Sequence, residues 1–210
     1  MPKETIERFN QVAYVYDDCC ESSTPAIRNY FYNNKHYTNT EPGKILDIGC
    51  GTGIIGEHFL RQNWDVYCLD GAPKMLNECL KKGLLTENLL LIDLETEKIP
   101  AAYNNRFDIT TCRATLIYLN NACDVIKRMI EVTKPEGTIV FNIPHHKHGD
   151  DTVIQSGRGH SHLIFSVLDK IQESGGKLVD THKTPHINIF QHKHHNHIFT
   201  VKKLKHLDLT

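Results

Sequence analysis

The segment Asp47-Ile48-Gly49-Cys50-Gly51-Thr52-Gly53 sets one carboxylate and three glycines at alternate positions, between the apolar run Ile45-Leu46 and Ile54-Ile55-Gly56. A plain strand-to-helix turn needs one glycine, or two. Three let the backbone pack against a bound molecule, while the free N–H groups of a helix start favour its acceptor atoms. Two further aspartates, Asp70 and Asp93, end the later runs Val66-Tyr67-Cys68-Leu69 and Leu89–Ile92. Asp70 can offer both carboxylate oxygens to the two hydroxyls of a ribose, which points to an adenosine-containing ligand.

Two ligand classes use such a loop. Gly51-Thr52-Gly53-Ile54-Ile55-Gly56 spells the G-x-G-x-x-G string of dinucleotide binders. In that fingerprint, however, the first glycine follows the strand directly, and the third supplies close helix packing. Here the residue after the strand is Gly49, so the third position falls on Ile54. The dinucleotide reading loses its packing glycine, whereas Asp70 fits either class.

Asp47-x-Gly49-x-Gly51-x-Gly53 resembles motif I of the class I S-adenosylmethionine-dependent methyltransferases, and the similarity runs on through the α/β core. The resemblance implies that the backbone of Gly49, Cys50, Gly51 and Gly53 holds the methionine portion of S-adenosylmethionine, with Asp47 near its amino group. It also implies that Asp70 and Gly71 meet the ribose, that Met75 flanks the adenine, and that Asp93 and Leu94 meet the adenine edge. A carboxylate suits a ligand bearing an ammonium and a sulfonium, and it would repel a pyrophosphate. Val132-Thr133-Lys134-Pro135-Glu136-Gly137 matches the family's turn into its fifth strand. With Tyr16-Asp17 and Leu69-Asp70-Gly71-Ala72-Pro73, the pattern is most similar to the methyltransferase-like proteins related to the Williams-Beuren region member.

The run Phe107–Cys112 leads into Arg113-Ala114-Thr115-Leu116-Ile117-Tyr118, where such families differ by acceptor. The Asn-Pro-Pro-Tyr type of tetrapeptide of adenine N-methyltransferases is absent, and so is a paired-glutamate loop like that of protein arginine methyltransferases. A small-molecule acceptor methylated at oxygen, nitrogen or sulfur is what remains, with S-adenosylhomocysteine as the second product. Cys112 and Arg113 are expected to floor the site, and Tyr14, Tyr16, Arg113 and Tyr118 to wall the substrate. His145 and His146, at the end of a fifth strand, are candidate proton acceptors together with Tyr118. Positioning alone can supply much of the rate. A nicotinamide-dependent oxidoreductase and a cofactor-binding protein without turnover are the rival readings.

Twelve of the 14 histidines lie after residue 144. In Gln191-His192-Lys193-His194-His195-Asn196-His197 an extended chain splits them between two faces, and no carboxylate is interleaved. A polar turn is the simpler account, so no metal site is expected.

To hold these residues, the chain must alternate strands and helices. The spacing predicts strands at 44–48, 64–69, 89–92, 107–112 and 138–143, and helices at 54–62, 73–82, 122–133 and 162–174. Such alternation makes a doubly wound parallel sheet. The runs 177–189 and 194–204, joined by a short link, make an antiparallel C-terminal hairpin. The expectation is a seven-stranded, mostly parallel Rossmann-like α/β domain spanning 1–210: two helices form a lid over 1–42, and the core fills 43–210. The stretch 144–160 is expected to be a substrate loop.

Lysine and arginine total 24 against 25 for aspartate and glutamate, which disfavours a nucleic-acid partner. Lys202-Lys203-Leu204-Lys205 is read as a solvated end. No run approaches the roughly eighteen apolar residues of a membrane span. The seven cysteines are odd in number and lack a Cys-x-x-Cys pair. They read as free thiols of a cytoplasmic protein.

Overall fold

Apolar runs bounded by turn residues become strands paired side by side. The computed structural model describes residues 3–20, 25–146, 153–155, 161–184, 187–189 and 192–205, with side chains within 3–18, 25–143, 166–184 and 196–205. Five strands, β1 (Lys44–Ile48), β2 (Asp65–Asp70), β3 (Leu89–Leu91), β4 (Phe107–Cys112) and β5 (Thr133–His146), are all parallel in the order β3-β2-β1-β4-β5. Successive side chains feed opposite faces. Leu46, Ile48 and Leu69 join one core cluster, while Ile45, Val66, Cys68 and Ile109 join the other. Both faces are buried because helices cover both.

Those helices are α4 (Ile54–Leu60), α5 (Pro73–Lys81), α6 (Ala122–Val132) and α7 (Ile164–Glu173). Proline opens α5, where its missing N–H costs nothing. α6 buries Val125, Ile126, Met129 and Ile130, one stripe at helical spacing.

At the C-terminal end, β10 (His192–Lys203) runs antiparallel to β5 on one side and to β8 (Gly176–Lys183) on the other. The expected run 177–189 is split: β9 (Ile187–Ile189) pairs with the same edge of β10 that β8 occupies, so the sheet has seven strand positions. Between the two, Thr184 turns inward, and Asn196 N–H donates to its Oγ1 at 3.1 Å. Within the expected loop 144–160, β6 (Val153–Gln155) pairs antiparallel with β7 (Ser161–Leu163). The rest of that loop beyond His146 lies outside the described residues.

The N-terminal segment is more broken than two helices. It comprises α1 (Lys3–Val12), a 3₁₀ turn at Ala13–Val15, α2 (Tyr16–Cys20) and α3 (Pro25–Tyr32). The turn lets Ala13 pack on Ala72 and Met75 while Phe9 and Tyr16 still reach the same cluster. α3 buries Ile27 and Phe31 against the opposite face of the sheet.

Candidate functional site

The C-terminal ends of β1, β2 and β4 meet at the edge where open α/β sheets bind ligands. The backbone of 49–53 takes positive φ at all three glycines. A Cβ on Gly49 would lie 2.2 Å from Thr115 Oγ1, so only glycine lets the segment after β4 close on the end of β1. Thr115 Oγ1 donates to the Gly49 carbonyl at 3.1 Å. At Gly51 a Cβ would meet no atom within 4 Å. It faces a cleft of about 520 Å³, counting the part open to solvent.

Two aspartates line this cleft. Asp70 sits across from Gly51, whose N–H donates to Oδ2 at 2.9 Å, while Ala72 N–H donates to Oδ1 at 2.8 Å. Burial pushes its pKa up to about 6 against those backbone hydrogen bonds. Asp47 is 1% exposed. Thr111 Oγ1 donates to its Oδ1 at 2.8 Å, and its Oδ2 is buried without a hydrogen-bond partner. Burial raises its pKa to about 7, opposed by the Thr111 bond and the charge of Arg113.

The N-terminal segment lies over the loop. The ring of Phe9 meets Tyr16 and Tyr118 edge-on, at 6.1 and 5.3 Å between centroids. Lys74 N–H donates to Asn10 Oδ1 at 3.0 Å. Asp17 accepts from Thr52 Oγ1 and from Lys82 Nζ, each at 2.5 Å, and Lys82 also donates to the Thr52 carbonyl at 2.8 Å. Helix α2 is thus tied to the glycine loop and to the end of α5.

A buried amide relay supports the far wall. Ala114, at φ 57°, donates its N–H to Asn142 Oδ1 at 2.8 Å, and Asn142 Nδ2 donates to Asn196 Oδ1 at 2.8 Å. The relay ties the loop holding Arg113 to β5 and β10.

Of the residues the sequence singled out, Asp47, Gly49, Cys50, Gly51, Asp70, Met75, Tyr16, Arg113 and Tyr118 line the cleft. Others stand elsewhere. Gly53 precedes α4 and packs on Cys79 and Leu84, and Gly71 lies under Ile6. Cys112 is wholly buried in the core instead of flooring the cleft, and burial drives its thiol pKa up. Tyr14 is 76% exposed and away from the cleft, because the 3₁₀ turn sends Ala13 inward in its place. Asp93 and Leu94 follow β3, but Asp93 Oδ1 accepts from Glu95 N–H at 3.1 Å as a local cap, and Leu94 is buried in the core. The backbones of His145 and His146 belong to β5, paired with His195 and His194, and are not in a free loop. Their side chains lie outside the described residues, as do those of His192, His194 and His195.

Sequence reasoning passed over Phe9, Thr52, Ile55, Ala114 and Thr115, which also line the cleft. Thr52 and Ile55 lie within or beside the glycine motif and could have been included. Phe9 carries only a helical-core signal, and nothing marks Thr115 without the position of Gly49.

Five parallel strands closed by the antiparallel β10 and β8, with a glycine-loop cleft at the ends of β1 and β2, define the fold of the class I S-adenosylmethionine-dependent methyltransferases. Residues 46–141 match the methyltransferase domain family. YqeM of Bacillus subtilis strain 168 is 31% identical over 107 residues, covering 49% of this chain and 43% of that protein. A ubiquinone biosynthesis O-methyltransferase of Photorhabdus laumondii subsp. laumondii is 32% identical over 104 residues, covering 47% of this chain and 42% of that protein. The chain therefore spans less than half the length of these curated relatives. Among solved structures, the Burkholderia thailandensis 1,6-didemethyltoxoflavin-N1-methyltransferase with its bound substrate and S-adenosylhomocysteine superposes with a TM-score of 0.68 at 16% identity, covering 98% of this chain and 91% of that one.

Proposed function

We propose that the chain binds S-adenosylmethionine in the glycine-loop cleft and transfers its methyl group to oxygen, nitrogen or sulfur of a small-molecule acceptor. The observation that carries this reading is Asp47 Oδ2, a buried carboxylate oxygen with no partner, lining the cleft that Gly51 leaves open. An unpaired buried polar atom costs on the order of 1–3 kcal/mol, more when charged, and a ligand ammonium removes that cost. Asp70 keeps lone pairs beyond its two backbone bonds, enough to accept from ribose hydroxyls. Asp47 beside a pyrophosphate would do the reverse, which speaks against NAD(P).

When bound, the cofactor supplies an activated methyl on sulfur. The chain supplies placement: Asp47, Gly49, Cys50 and Gly51 hold the amino-acid end, Asp70 the ribose, and Met75 flanks the adenine. Arg113, Tyr118 and Tyr16 face the acceptor. We place a proton acceptor, for acceptors that need one, at His145 or His146 on the ligand-binding edge of β5. The whole chain acts as one domain, with 1–42 covering 43–210.

Nucleic acid is disfavoured as a partner, because the basic tail is engaged internally. Lys202 donates to Thr138 and the Glu136 carbonyl, Lys203 to Asn105 and the carbonyls of Glu131 and Thr133, and Lys205 pairs with Glu136 at 3.0 Å. Among the described residues no helix is long and apolar enough to cross a membrane. The buried free thiols fit a cytoplasmic setting.

Methyl transfer from labelled S-adenosylmethionine to a panel of phenols, amines and thiols tests the activity. The name of the Photorhabdus relative puts oxygen acceptors first. Binding of the cofactor with no transfer to any class would favour a non-catalytic binder, and stabilisation by NAD alone would overturn the reading.

A further inference from the structure

Three thiols from three different elements meet directly beneath the glycine loop. Cys50 is in the loop, Cys68 on β2 and Cys79 on α5, and the sulfurs of Cys50 and Cys79 lie 3.9 Å apart. Both of these thiols donate to the same acceptor, the Gly51 carbonyl, from 3.5 Å for Cys50 and 3.3 Å for Cys79. Cys50 lines the ligand cleft at 9% exposure, whereas Cys68 and Cys79 are wholly buried. Nothing in methyl transfer uses three converging thiols. Cysteine as a small apolar filler would also not require two S–H groups to share one carbonyl of the loop.

We propose that Cys50 and Cys79 are an oxidant-sensitive dithiol, cross-linked by a hydroperoxide that enters through the cleft, and that the disulfide deforms the glycine loop and lowers its affinity for the cofactor. The cross-link itself stands on the sulfur geometry. Its effect on cofactor binding rests on the reading of the cleft given above.

The chemistry balances in two displacements. The Cys50 sulfur attacks one oxygen of the peroxide, the O–O bond breaks, and the Cys50 proton leaves with the departing oxygen as water or an alcohol. The Cys79 sulfur then attacks the Cys50 sulfenic sulfur, an S–S bond forms, and the hydroxyl leaves as water with the Cys79 proton. Two thiols are oxidised to one disulfide and one peroxide is reduced. Burial raises the pKa of Cys50, whereas hydrogen bonds from Cys50 and Cys68 and the nearby charge of Lys82 lower that of Cys79, so of the two sulfurs Cys79 gives up its proton more readily, as the second displacement requires.

The structural consequence follows from the same contacts. A disulfide needs its sulfurs about 2.05 Å apart, so the pair must close by roughly 2 Å. Cys79 is fixed on α5, and Cys50 sits in the loop, so the loop moves. Both S–H donors to the Gly51 carbonyl are lost, and the N–H of the same residue anchors Asp70. Gly51 and Asp70 therefore shift together.

The test uses the full chain, with hydrogen peroxide as oxidant and S-adenosylhomocysteine as cleft ligand. Reduced protein is first titrated with the ligand, then oxidised in its presence and absence, alkylated with N-ethylmaleimide and mapped by mass spectrometry of peptides cut without reductant. The expected result is a Cys50–Cys79 linked peptide in ligand-free protein, its suppression by the ligand, and a loss of affinity of roughly tenfold that dithiothreitol restores. Reversal by dithiothreitol separates this effect from oxidation of Met75, which it does not repair. Cys79→Ser keeps a hydroxyl donor and cannot cross-link, so peroxide must cause no reductant-reversible loss in it. Alkylation of both thiols after peroxide treatment, or a link from Cys50 to Cys68 in place of Cys79, overturns the proposal. If reduced protein fails to bind S-adenosylhomocysteine, the reading of the cleft has failed, and the peptide map still decides the thiol pair.

Discussion

Replacing Asp47 with asparagine removes one negative charge and leaves the shape of the site unchanged. The amide oxygen introduced by Asp47→Asn can still accept from Thr111 Oγ1, as Asp47 Oδ1 does at 2.8 Å. What changes is the other atom, the oxygen buried without a partner, which becomes an N–H donor aimed where the ligand's ammonium is placed. A hydrogen bond to a charged group contributes about 1.5–3 kcal/mol, so its loss lowers affinity for S-adenosylhomocysteine roughly 10- to 150-fold. The ligand-free variant, in contrast, is relieved of a buried charge and unfolds at an equal or higher temperature at pH 8. Isothermal titration calorimetry reads the first effect and thermal denaturation the second. Weaker binding in a protein no less stable is the signature of a residue that serves the ligand. An affinity within twofold of the parent would refute the placement of the ammonium at Asp47.

Affinity also depends on pH. Burial raises Asp47 to about 7 and Asp70 to about 6, both above the roughly 3.9 of an unfolded aspartate. The folded state therefore binds more protons between these values. The contribution of these groups to ligand-free stability is fully present below about pH 4 and lost as pH rises through 6 to 7. An ammonium favours ionised Asp47, so S-adenosylhomocysteine binding strengthens from about pH 6 to 8 with proton release, measurable by calorimetry in buffers of different ionisation heat; a pH-independent affinity would contradict this. Gly49→Ala combines a positive φ of 65° with a Cβ 2.2 Å from Thr115 Oγ1. It should cost about 2–3 kcal/mol, a fall of roughly 5–10 °C in Tm, whereas Gly51→Ala bears backbone strain alone, about 1 kcal/mol. Equal Tm losses in the two variants would mean the Thr115 contact is not what demands glycine at 49. Asn142→Leu strips Ala114 N–H and Asn196 of their partner and should cost roughly 2–5 kcal/mol in urea unfolding, and a loss below about 0.5 kcal/mol would remove the relay from the account.

The parallel core was legible because fully buried strands and amphipathic helices leave different periods, and β1 and β4 match the expected spans. The strand-end lining of the cleft was legible for a related reason. Asp47, the glycines and Asp70 sit at strand ends, where local sequence dictates local geometry. Residues whose roles depend on packing between distant segments were not. Whether Tyr14 or Ala13 turns inward is decided by Ala72 and Met75, some sixty residues away. Thr115 and Asn142 become intelligible only once β4 and β5 lie beside β1. The break between β8 and β9 likewise depends on Asn196 across the sheet, and no local turn signal announces it. Cysteine spacing showed no pair, because the three thiols come from three separate elements.

The function proposed for this chain depends on S-adenosylmethionine binding in the glycine-loop cleft. Calorimetric titration of the full chain with S-adenosylhomocysteine, and with NAD in parallel, tests it most directly. The expected result is saturable one-site binding of S-adenosylhomocysteine that weakens in Asp47→Asn, with no heat from NAD. Binding of NAD with none of S-adenosylhomocysteine would contradict it.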